Sequence, residues 1–463
     1  MPGTYTHTTF GEAKDRLASL LGDPTKTFYQ DAELGQYIIE ALRWWGLSAM
    51  YFRESATVET VAGQAFYDLT EDVLDATQTD LLQSLTVTDR DVISDLLYNL
   101  MEDQITNWAG GWVGSEQFSL EEISDLLSKS RDQLLKLTGV VGRRQEYVLA
   151  GGQQRVFLDD DLIKILRAEV DEDGSDGPLL MWAGDSQQIQ STTNGGLPVV
   201  GRPRSYLTNY TPTLALDVYP PAQTQSTLGL HVVESDAALA PTVAATPLGL
   251  PDDACWIAKY RTMDDLLGGD GLGRAPQMSE YAASRWEQGV DALSQYQSIV
   301  WSTVGGKRMT VSSLAELDVH RPRWQQTTGT PRSLHLLNWN VFAVYPVPDG
   351  VYRLELEIVR KAPIPTSDDD FIQVGREQMD AIWDYASHIA MIKCQGAEFD
   401  QSMDLLASAQ ASADDYLALR ASESVNWEWV QTLTGQDRRE QRPFRRPRVA
   451  EKAKENANVG TRV

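Results

Sequence analysis

The stretch FYQDAELGQYIIEALRWW (Phe28–Trp45) repeats an apolar residue every three or four positions, at Leu34, Ile38 and Ala41. This spacing is typical of one buried face of an α-helix. The segment VETVAGQAFYDLTED follows it, and Gly63 separates two short alternating runs, which is a turn signal. The chain is therefore predicted to begin with a helix and a β-hairpin.

A similar helix-and-hairpin pattern returns at a constant offset of 89 residues. Leu34 and Ile38 correspond to Ile123 and Leu127, and Gly63 corresponds to Gly152. Self-similarity at a fixed spacing is the signature of a repeated structural unit. The pattern predicts two related units in one chain.

A second internal similarity joins strand patterns to a helix that contains tryptophan. The helix pattern that begins at Asp253, DACWIAKYRTMDDLLGG, follows two strand patterns, LALDVYPP and LGLHVVES. The helix pattern that begins at Asp380, DAIWDYASHIAMIKCQG, also follows two strand patterns, VFAVYPVP and YRLELEIV. Apolar and charged residues alternate from Tyr352 to Val359, as in a strand with one buried face. Asp349-Gly350 supplies a hairpin turn before that strand.

These patterns predict an α+β fold of mostly helical bundles with small antiparallel β elements, hairpins or a sandwich, and an internal duplication. The preferred division is nested. Residues 1–114 with 301–435 form an outer unit, residues 115–300 form an inserted unit, and residues 436–463 form an extended basic arm. A linear division of the chain stays open.

His388, Cys394 and Glu398 lie close together in sequence and could form a chemical site. The matching helix places Arg261 opposite His388 and Leu267 opposite Cys394, so the reactive side chains are not part of the shared pattern. A lone His and a lone Cys without further ligands rarely hold a metal. We therefore predict that these residues pack in a core, with Cys394 on the apolar stripe of its helix.

Other chemical motifs are weak. EVDEDGSDG (Glu169–Gly177) resembles a calcium loop, but Trp182 stands at the twelfth position from Asp171, where an acid is required. We interpret it as a solvated acidic loop, and cation binding there stays open. Asp368–Asp370 are expected to cap a following helix. No catalytic, cofactor-binding or metal-binding residue is predicted, and the protein is predicted not to be an enzyme.

The charge of the chain is unevenly distributed. A formal net charge of −26 argues against general DNA binding, whereas residues 436–463 contain nine Lys and Arg against four acids. Arginine offers forked donors for carboxylates, and proline favours an extended path. The predicted partner-binding arm and its anchor comprise Trp427, Trp429, Arg438, Arg439, Arg442, Phe444, Arg445, Arg446 and Arg448. A disordered end that aids solubility is the alternative.

FYQDAELGQYIIEALRWW with VETVAGQAFYDL resembles the opening of head–tail adaptor (connector or neck) proteins of tailed bacteriophages. Two C-terminal patterns resemble the closing half of proteins of the same class. They are VYPVPDGVYRLELEIVRKAPIP and the segment from Met379 to Leu419. The resemblance implies helical bundles with a small β element, and a ring under the portal whose C-terminal arms insert against portal subunits. This chain is longer than many such adaptors.

The resemblance implies a structural virion protein in the phage neck, made in the host cytoplasm. Its expected partners are its own copies in a dodecameric ring, the portal protein, and the next tail or neck component or fibres. DNA is expected to pass through the channel without specific binding, and no membrane contact is expected. The alternative is a tail- or collar-side protein that anchors fibres or binds a receptor, and a polysaccharide-acting enzyme ranks third.

Overall fold

The computed structural model describes residues 7–69, 84–110, 117–172, 178–184, 200–209, 213–269, 273–394 and 396–433, with side chains up to Arg420. Contacts divide the chain into two units, Met1–Ala413 and Asp414–Val463. The first unit contains the β-sheets and the cores described below. The second is described as far as Leu433 and is helical there.

Helices make up much of the described residues. They are α1 Phe10–Leu20, α2 Asp31–Ala49, α3 Asp89–Asn99, α4 Leu120–Thr138, α5 Cys255–Gly268, α6 Pro276–Gln295, α7 Leu314–His320, α8 Met379–Met391 and α9 Gly396–Leu433. Leu34, Ile38 and Trp45 of α2 are fully buried, so its predicted apolar face is confirmed. The Thr88 side chain caps α3 by accepting a hydrogen bond from the backbone N–H of Asp91.

The strands of the described residues form one seven-stranded sheet, two four-stranded sheets and one two-stranded pair. They are β1 Arg53–Glu59, β2 Phe66–Asp68, β3 Arg143–Leu149, β4 Arg155–Phe157, β5 Leu162–Glu172, β6 Leu179–Ala183, β7 Ser205–Asn209, β8 Ala215–Tyr219, β9 Ser226–Glu234, β10 Ile299–Val304, β11 Lys307–Arg308, β12 Thr310–Ser313, β13 Thr328–Gly329, β14 Ser333–Leu336, β15 Val341–Tyr345, β16 Val347–Pro348 and β17 Arg353–Val359. The sheet orders are β3-β9-β5-β6-β7-β8-β4, β1-β17-β10-β11, β12-β14-β15-β2 and β13-β16.

Strands near the start of the chain pair with strands some 300 residues later. β17 lies between β1 and β10 and is antiparallel to both, with Ala56 opposite Leu356. β15 pairs with β2 in the same way. The seven-stranded sheet, in contrast, draws all its strands from residues 143–234. The division into an outer unit and an inserted unit stays a prediction.

The predicted fold class is confirmed only as a mixture of helices and strands. The description as mostly helical bundles with small β elements is not confirmed, because β3 to β9 build a seven-stranded sheet. Not every pairing is antiparallel: β6–β7 and β12–β14 are parallel. The glycine pair that ends the pattern DACWIAKYRTMDDLLGG predicts a left-handed helix cap at Gly269, but this prediction is wrong, because its φ of −65° is not left-handed.

The spacing of the elements agrees with the sequence repeat, but it does not show a duplication. Helices α2 and α4 each contain 19 residues. Gly63 and Gly152, in the turns after them, both have positive φ, at 82° and 80°. Glycine adopts this conformation without a steric penalty. The internal duplication stays a prediction.

Two acidic segments have structural positions that differ from those predicted. Glu169–Glu172 belongs to β5 and is not part of a solvated loop; residues 173–177 lie outside the described part.

Asp368 and Asp370 do not cap the following helix. Their backbone carbonyls instead accept the N–H groups of Gly11 and Phe10, at 3.0 and 2.8 Å. These N–H groups open α1 and have no partner within that helix.

A buried ion-pair network joins β5 to α7. The Arg167 guanidinium, 5% exposed, pairs with Glu169 and with Asp318, whose Oδ2 lies 3.0 Å from Nε. Trp324 Nε1 donates a further hydrogen bond of 2.8 Å to Asp318. Burial alone raises the pKa of Glu169, but the charges of Arg167 and Arg144 hold it below its ordinary value. The network therefore fixes the seven-stranded sheet to the chain beyond residue 300.

We expect Arg167→Ala to lower the free energy of unfolding by about 3–5 kcal/mol, because it leaves the Asp318 carboxylate in the interior without its cation and Glu169 with Arg144 alone. Urea denaturation followed by circular dichroism measures the change. The matched control is Arg353→Ala on the exposed side of β17, with an expected effect within about 0.5 kcal/mol. Equal effects of the two substitutions would contradict a role for the network in stability.

Candidate functional site

No side chain of the predicted arm or its anchor lies within the part of the chain whose side chains the structure describes. Trp427 and Trp429 lie in α9, where only the backbone is described. The six arginines from Arg438 to Arg448, together with Phe444, lie outside the described residues. Within the C-terminal unit, Arg420 Nε donates a hydrogen bond of 3.0 Å to the Tyr416 hydroxyl. The partner-binding role of the arm stays a prediction.

The first half of α9 is firmly fixed in the Met1–Ala413 unit. Its buried residues repeat at three- and four-residue spacing and are Phe399, Ser402, Leu406, Ala409 and Ala413. The Phe399 ring packs edge-on against Tyr281 of α6, with the ring centroids 4.9 Å apart. Ser402 contacts His388 of α8. The helix that precedes the arm therefore starts from a well-packed base.

His388 is a hydrogen-bonded core residue. Its Nε2 lies 2.6 Å from the Tyr281 hydroxyl and its Nδ1 lies 2.8 Å from Ser402 Oγ. Burial, followed by the charge of Arg285, lowers the pKa of His388 to about 3. The imidazole is therefore neutral at physiological pH, and both nitrogens are engaged in internal contacts.

Cys394 does not lie on the stripe that the sequence predicted. Helix α8 ends at Met391, and Cys394 follows in a turn, half-buried, with Sγ 3.0 Å from the Tyr29 hydroxyl. Burial raises the pKa of the Cys394 thiol, which makes it a weaker nucleophile. His388 and Cys394 thus have different partners and do not act on each other.

The helical core contains a cluster of buried charges that the sequence did not reveal. Lys259 of α5 has no exposed surface and pairs with Glu40 of α2 and with Asp95 of α3, the latter at 2.9 Å. Burial alone lowers the pKa of Lys259, but Asp95 and Glu40 raise it above its ordinary value. Burial raises the pKa of Asp95 to about 7 against the opposing effect of Lys259. The cluster joins three helices from distant parts of the sequence.

Arg285 of α6 provides a second buried cation close by. Its guanidinium lies 5.3, 5.4 and 5.1 Å from the ring centroids of Trp256, Tyr260 and Tyr385. It also donates a hydrogen bond to the Tyr385 hydroxyl. Aromatic faces attract such a cation and compensate part of its lost hydration. Arg285 therefore holds three aromatic side chains in one arrangement.

The buried clusters around Lys259, Arg285 and His388 contribute to core packing. Lys259, Arg285 and His388 are occupied by internal partners, and the cavity beside Glu40 and Asp95 measures about 100 Å³. Within the described ranges, no group of three or more His, Cys, Asp or Glu side chains is arranged to hold a metal ion. The Ser402 hydroxyl does lie beside His388, but both side chains are buried, at 1% and 0% exposed, inside the helical core. That the protein is not an enzyme stays a prediction.

We expect Lys259→Met to lower the free energy of unfolding by about 3–5 kcal/mol, because Glu40 and Asp95 would lose their shared cation. Adding Glu40→Gln and Asp95→Asn should recover part of the loss, since the cluster is then neutral. The control is Lys307→Met, at an exposed position. A triple variant no more stable than Lys259→Met would contradict the electrostatic explanation.

The neutral state of His388 predicts a dependence of stability on pH. Its folded pKa, about 3, lies below the value of 6.5 in the unfolded chain, so the unfolded state binds the proton first. The contribution of neutral His388 to the free energy of unfolding is fully present above pH 6.5, and it falls as the pH drops towards 3. The loss is up to about 1.4 kcal/mol per pH unit.

His388→Gln should therefore make the fall in stability between pH 6.5 and 4 shallower, as measured by denaturation at several pH values. His320→Gln is the matched control, because His320 is exposed at the end of α7. We expect it to keep the wild-type slope. An unchanged slope in His388→Gln would mean that another group causes the acid sensitivity.

Comparison with known proteins gives a partial match. Residues 289–446, about a third of the chain, match the family model described as SU10 adaptor protein. This segment contains β10 to β17, α7, α8, α9 and the first part of the basic arm. A search of curated proteins found no match.

The adaptor match includes the C-terminal pattern whose resemblance to phage adaptors was noted in the sequence. The N-terminal resemblance from Phe28 lies outside it and stays a prediction. Among the described residues, no helix is long and apolar enough to cross a membrane. The similarity over residues 289–446 suggests a phage adaptor-type protein, and hence a structural component of a virion.

Proposed function

We propose that this chain is a structural protein of the phage neck, forming an oligomeric ring that joins the portal to the tail. The match of residues 289–446 to an adaptor family carries the proposal. The expected assembly is a dodecameric ring of identical chains, and the protein is proposed to have no enzymatic activity. Its place is then the neck of the virion.

The packing of the matched segment supports a role as a rigid building block. β17 is hydrogen-bonded to β1, and β15 is hydrogen-bonded to β2, so residues outside the match complete both sheets. Lys393, just after α8, pairs with Glu33 of α2 at 3.1 Å. The whole Met1–Ala413 unit is therefore the proposed subunit of the ring, and it repeats around the axis by lateral contacts.

The C-terminal part of the chain supports a role in docking. Helix α9 contains 38 residues, which corresponds to a length of roughly 57 Å at 1.5 Å per residue. The sequence after it is rich in arginine and contains Pro443 and Pro447. Arginine forks bind carboxylates with two parallel hydrogen bonds. We propose that this arm docks onto acidic surface of the portal protein.

The acidic composition supports passage of DNA through the ring. With a formal net charge of −26, the chain as a whole repels the phosphate backbone. DNA would then move through the channel without being held. The next neck or tail component, or fibres, would contact the opposite face of the ring.

We expect the purified full-length chain, mixed with the portal protein of the same phage, to form joint rings in negative-stain images. Removing the residues after Gly435 should abolish portal docking and leave the thermal midpoint unchanged, because the deleted residues lie beyond α9. Co-sedimentation on a gradient measures the complex. A truncated chain that docks as well as the full chain would refute the role of the arm.

A lysine variant separates arginine geometry from charge alone. Replacing the six arginines from Arg438 to Arg448 by lysine keeps the net charge but removes the two-pronged hydrogen bond. We expect this variant to dock more weakly than the wild type and to be more sensitive to salt. Docking equal to that of the wild type would show that charge alone suffices. The substituted positions are Arg438, Arg439, Arg442, Arg445, Arg446 and Arg448.

A further inference from the structure

A cavity of about 400 Å³ lies where four distant segments of the chain meet. Its wall includes Arg43 of α2, Thr86 before α3, Asp252 and Asp253 before α5, and residues 360–364 after β17. Its volume falls in the range of about 300–1,000 Å³ that is usual for small-molecule sites. The charges on this wall indicate which kind of molecule it suits.

Three cations on the wall, Arg43, Arg360 and Lys361, form no ion pair within the part of the chain that the structure describes. Arg360 donates a hydrogen bond of 2.8 Å to Gln373, and Lys361 donates one of 3.1 Å to Ser84, but both acceptors are uncharged. The chain contains 66 acidic residues against 40 Lys and Arg, so a group of unpaired cations is unexpected. Their grouping around one cavity points to an anion from outside the chain.

The two carboxylates on the same wall are engaged by other donors. Asp252 accepts hydrogen bonds from the backbone N–H and the hydroxyl of Thr86, both at 2.7 Å. Both carboxylate oxygens of Asp253 accept the backbone N–H of Ala362, at 3.3 and 3.0 Å. Hydrogen bonds from backbone N–H groups to a carboxylate are charge-assisted and strong. These two acids therefore hold the segments of the wall together, and the three cations stay without an ionic partner.

The cations have donor atoms that a ligand can reach. Arg43, Arg360 and Lys361 are each half-buried. The Nε atoms of both arginines are buried, but Nη1 and Nη2 of Arg43 and Nη1 of Arg360 keep accessible surface and have no partner among the described residues. Lys361 uses one of its three ammonium donors for Ser84, which leaves two. Binding therefore depends on the terminal nitrogens.

A phosphate group matches three separate cations better than a carboxylate does. A carboxylate has one negative charge and two oxygens, whereas a phosphate group carries a charge of about −1.5 to −2 at pH 7 and at least three acceptor oxygens. Arginine binds phosphate with two parallel hydrogen bonds, and lysine binds it as a point charge. Pro363 and Ile364 add apolar surface to the same wall, beside which a group attached to the phosphate could lie.

We propose that this cavity binds the phosphate group of a small molecule, with Arg43, Arg360 and Lys361 as its binding residues. The site does not depend on ring formation, so it goes beyond the proposed function of the chain. A single phosphate group fits within the cavity, whereas the net charge of −26 opposes a long polyanion such as DNA. Inorganic phosphate and a phosphate monoester share the proposed chemistry.

The test is isothermal titration calorimetry of the full-length chain with inorganic phosphate and with adenosine monophosphate, at constant ionic strength. We expect at least one of the two to bind saturably, and Arg43→Gln and Lys361→Gln to weaken that binding at least tenfold. Tighter binding of the nucleotide identifies a phosphate monoester as the ligand class, and equal or weaker binding identifies the free ion. Arg353→Gln is the matched control, because it removes the same charge at an exposed position of β17 that does not line the cavity.

Circular dichroism and thermal unfolding check that the variants are folded, and Lys361→Gln gives an independent reading should Arg43→Gln unfold. Absence of saturable binding by both phosphate compounds overturns the proposal. Equal binding by the wild type and a folded cavity variant does so as well, and so does an equal loss in Arg353→Gln. Succinate that binds as tightly as phosphate would show that the site takes carboxylates and would contradict the assignment.

Discussion

Strand β17 holds together parts of the sequence that lie far apart. It hydrogen-bonds β1 on one side and β10 on the other, and Leu354, Leu356 and Ile358 point into a fully buried core with Val58. Long-range pairing of this kind carries a large entropy cost before it gains contacts. The sheet is therefore complete only when both ends of the Met1–Ala413 unit are folded. Residues 289–446 can match an adaptor family and still depend on the rest of this unit.

The buried charges reinforce the same long-range connections. Lys259 joins helices α2, α3 and α5, and Arg167 joins β5 to α7. A buried ion pair adds little net stability over apolar packing, but removing one partner is costly. Such networks fix one arrangement of the segments that they join. This property suits a protein whose proposed work is to keep a constant shape against neighbouring copies.

Helices were the most predictable part of the fold, because their signals are local. The spacing of Leu34, Ile38 and Ala41 was enough to identify α2. β5 was missed because Arg167 and Glu169 look like surface residues in sequence. They are buried only because each finds its opposite charge, and that pairing depends on the folded structure.

The candidate sites, too, could be predicted from the sequence only where the signal is local. Internal comparison of two helix patterns gave a reason to interpret His388 as a packing residue, and the structure shows both ring nitrogens in internal hydrogen bonds. No sequence pattern could indicate the cluster around Lys259, because its residues span more than 200 positions of the sequence, from Glu40 to Lys259. The arginine arm was found from composition, and its partner has to be found by experiment.

Cryo-electron microscopy of the neck of intact virions tests the central claim most directly. The account predicts a closed ring of density between the portal and the tail, into which copies of the Met1–Ala413 unit fit with the basic C-terminal segment against the portal. Density for this chain only in fibres or elsewhere on the particle, or its absence from purified virions, would contradict the account.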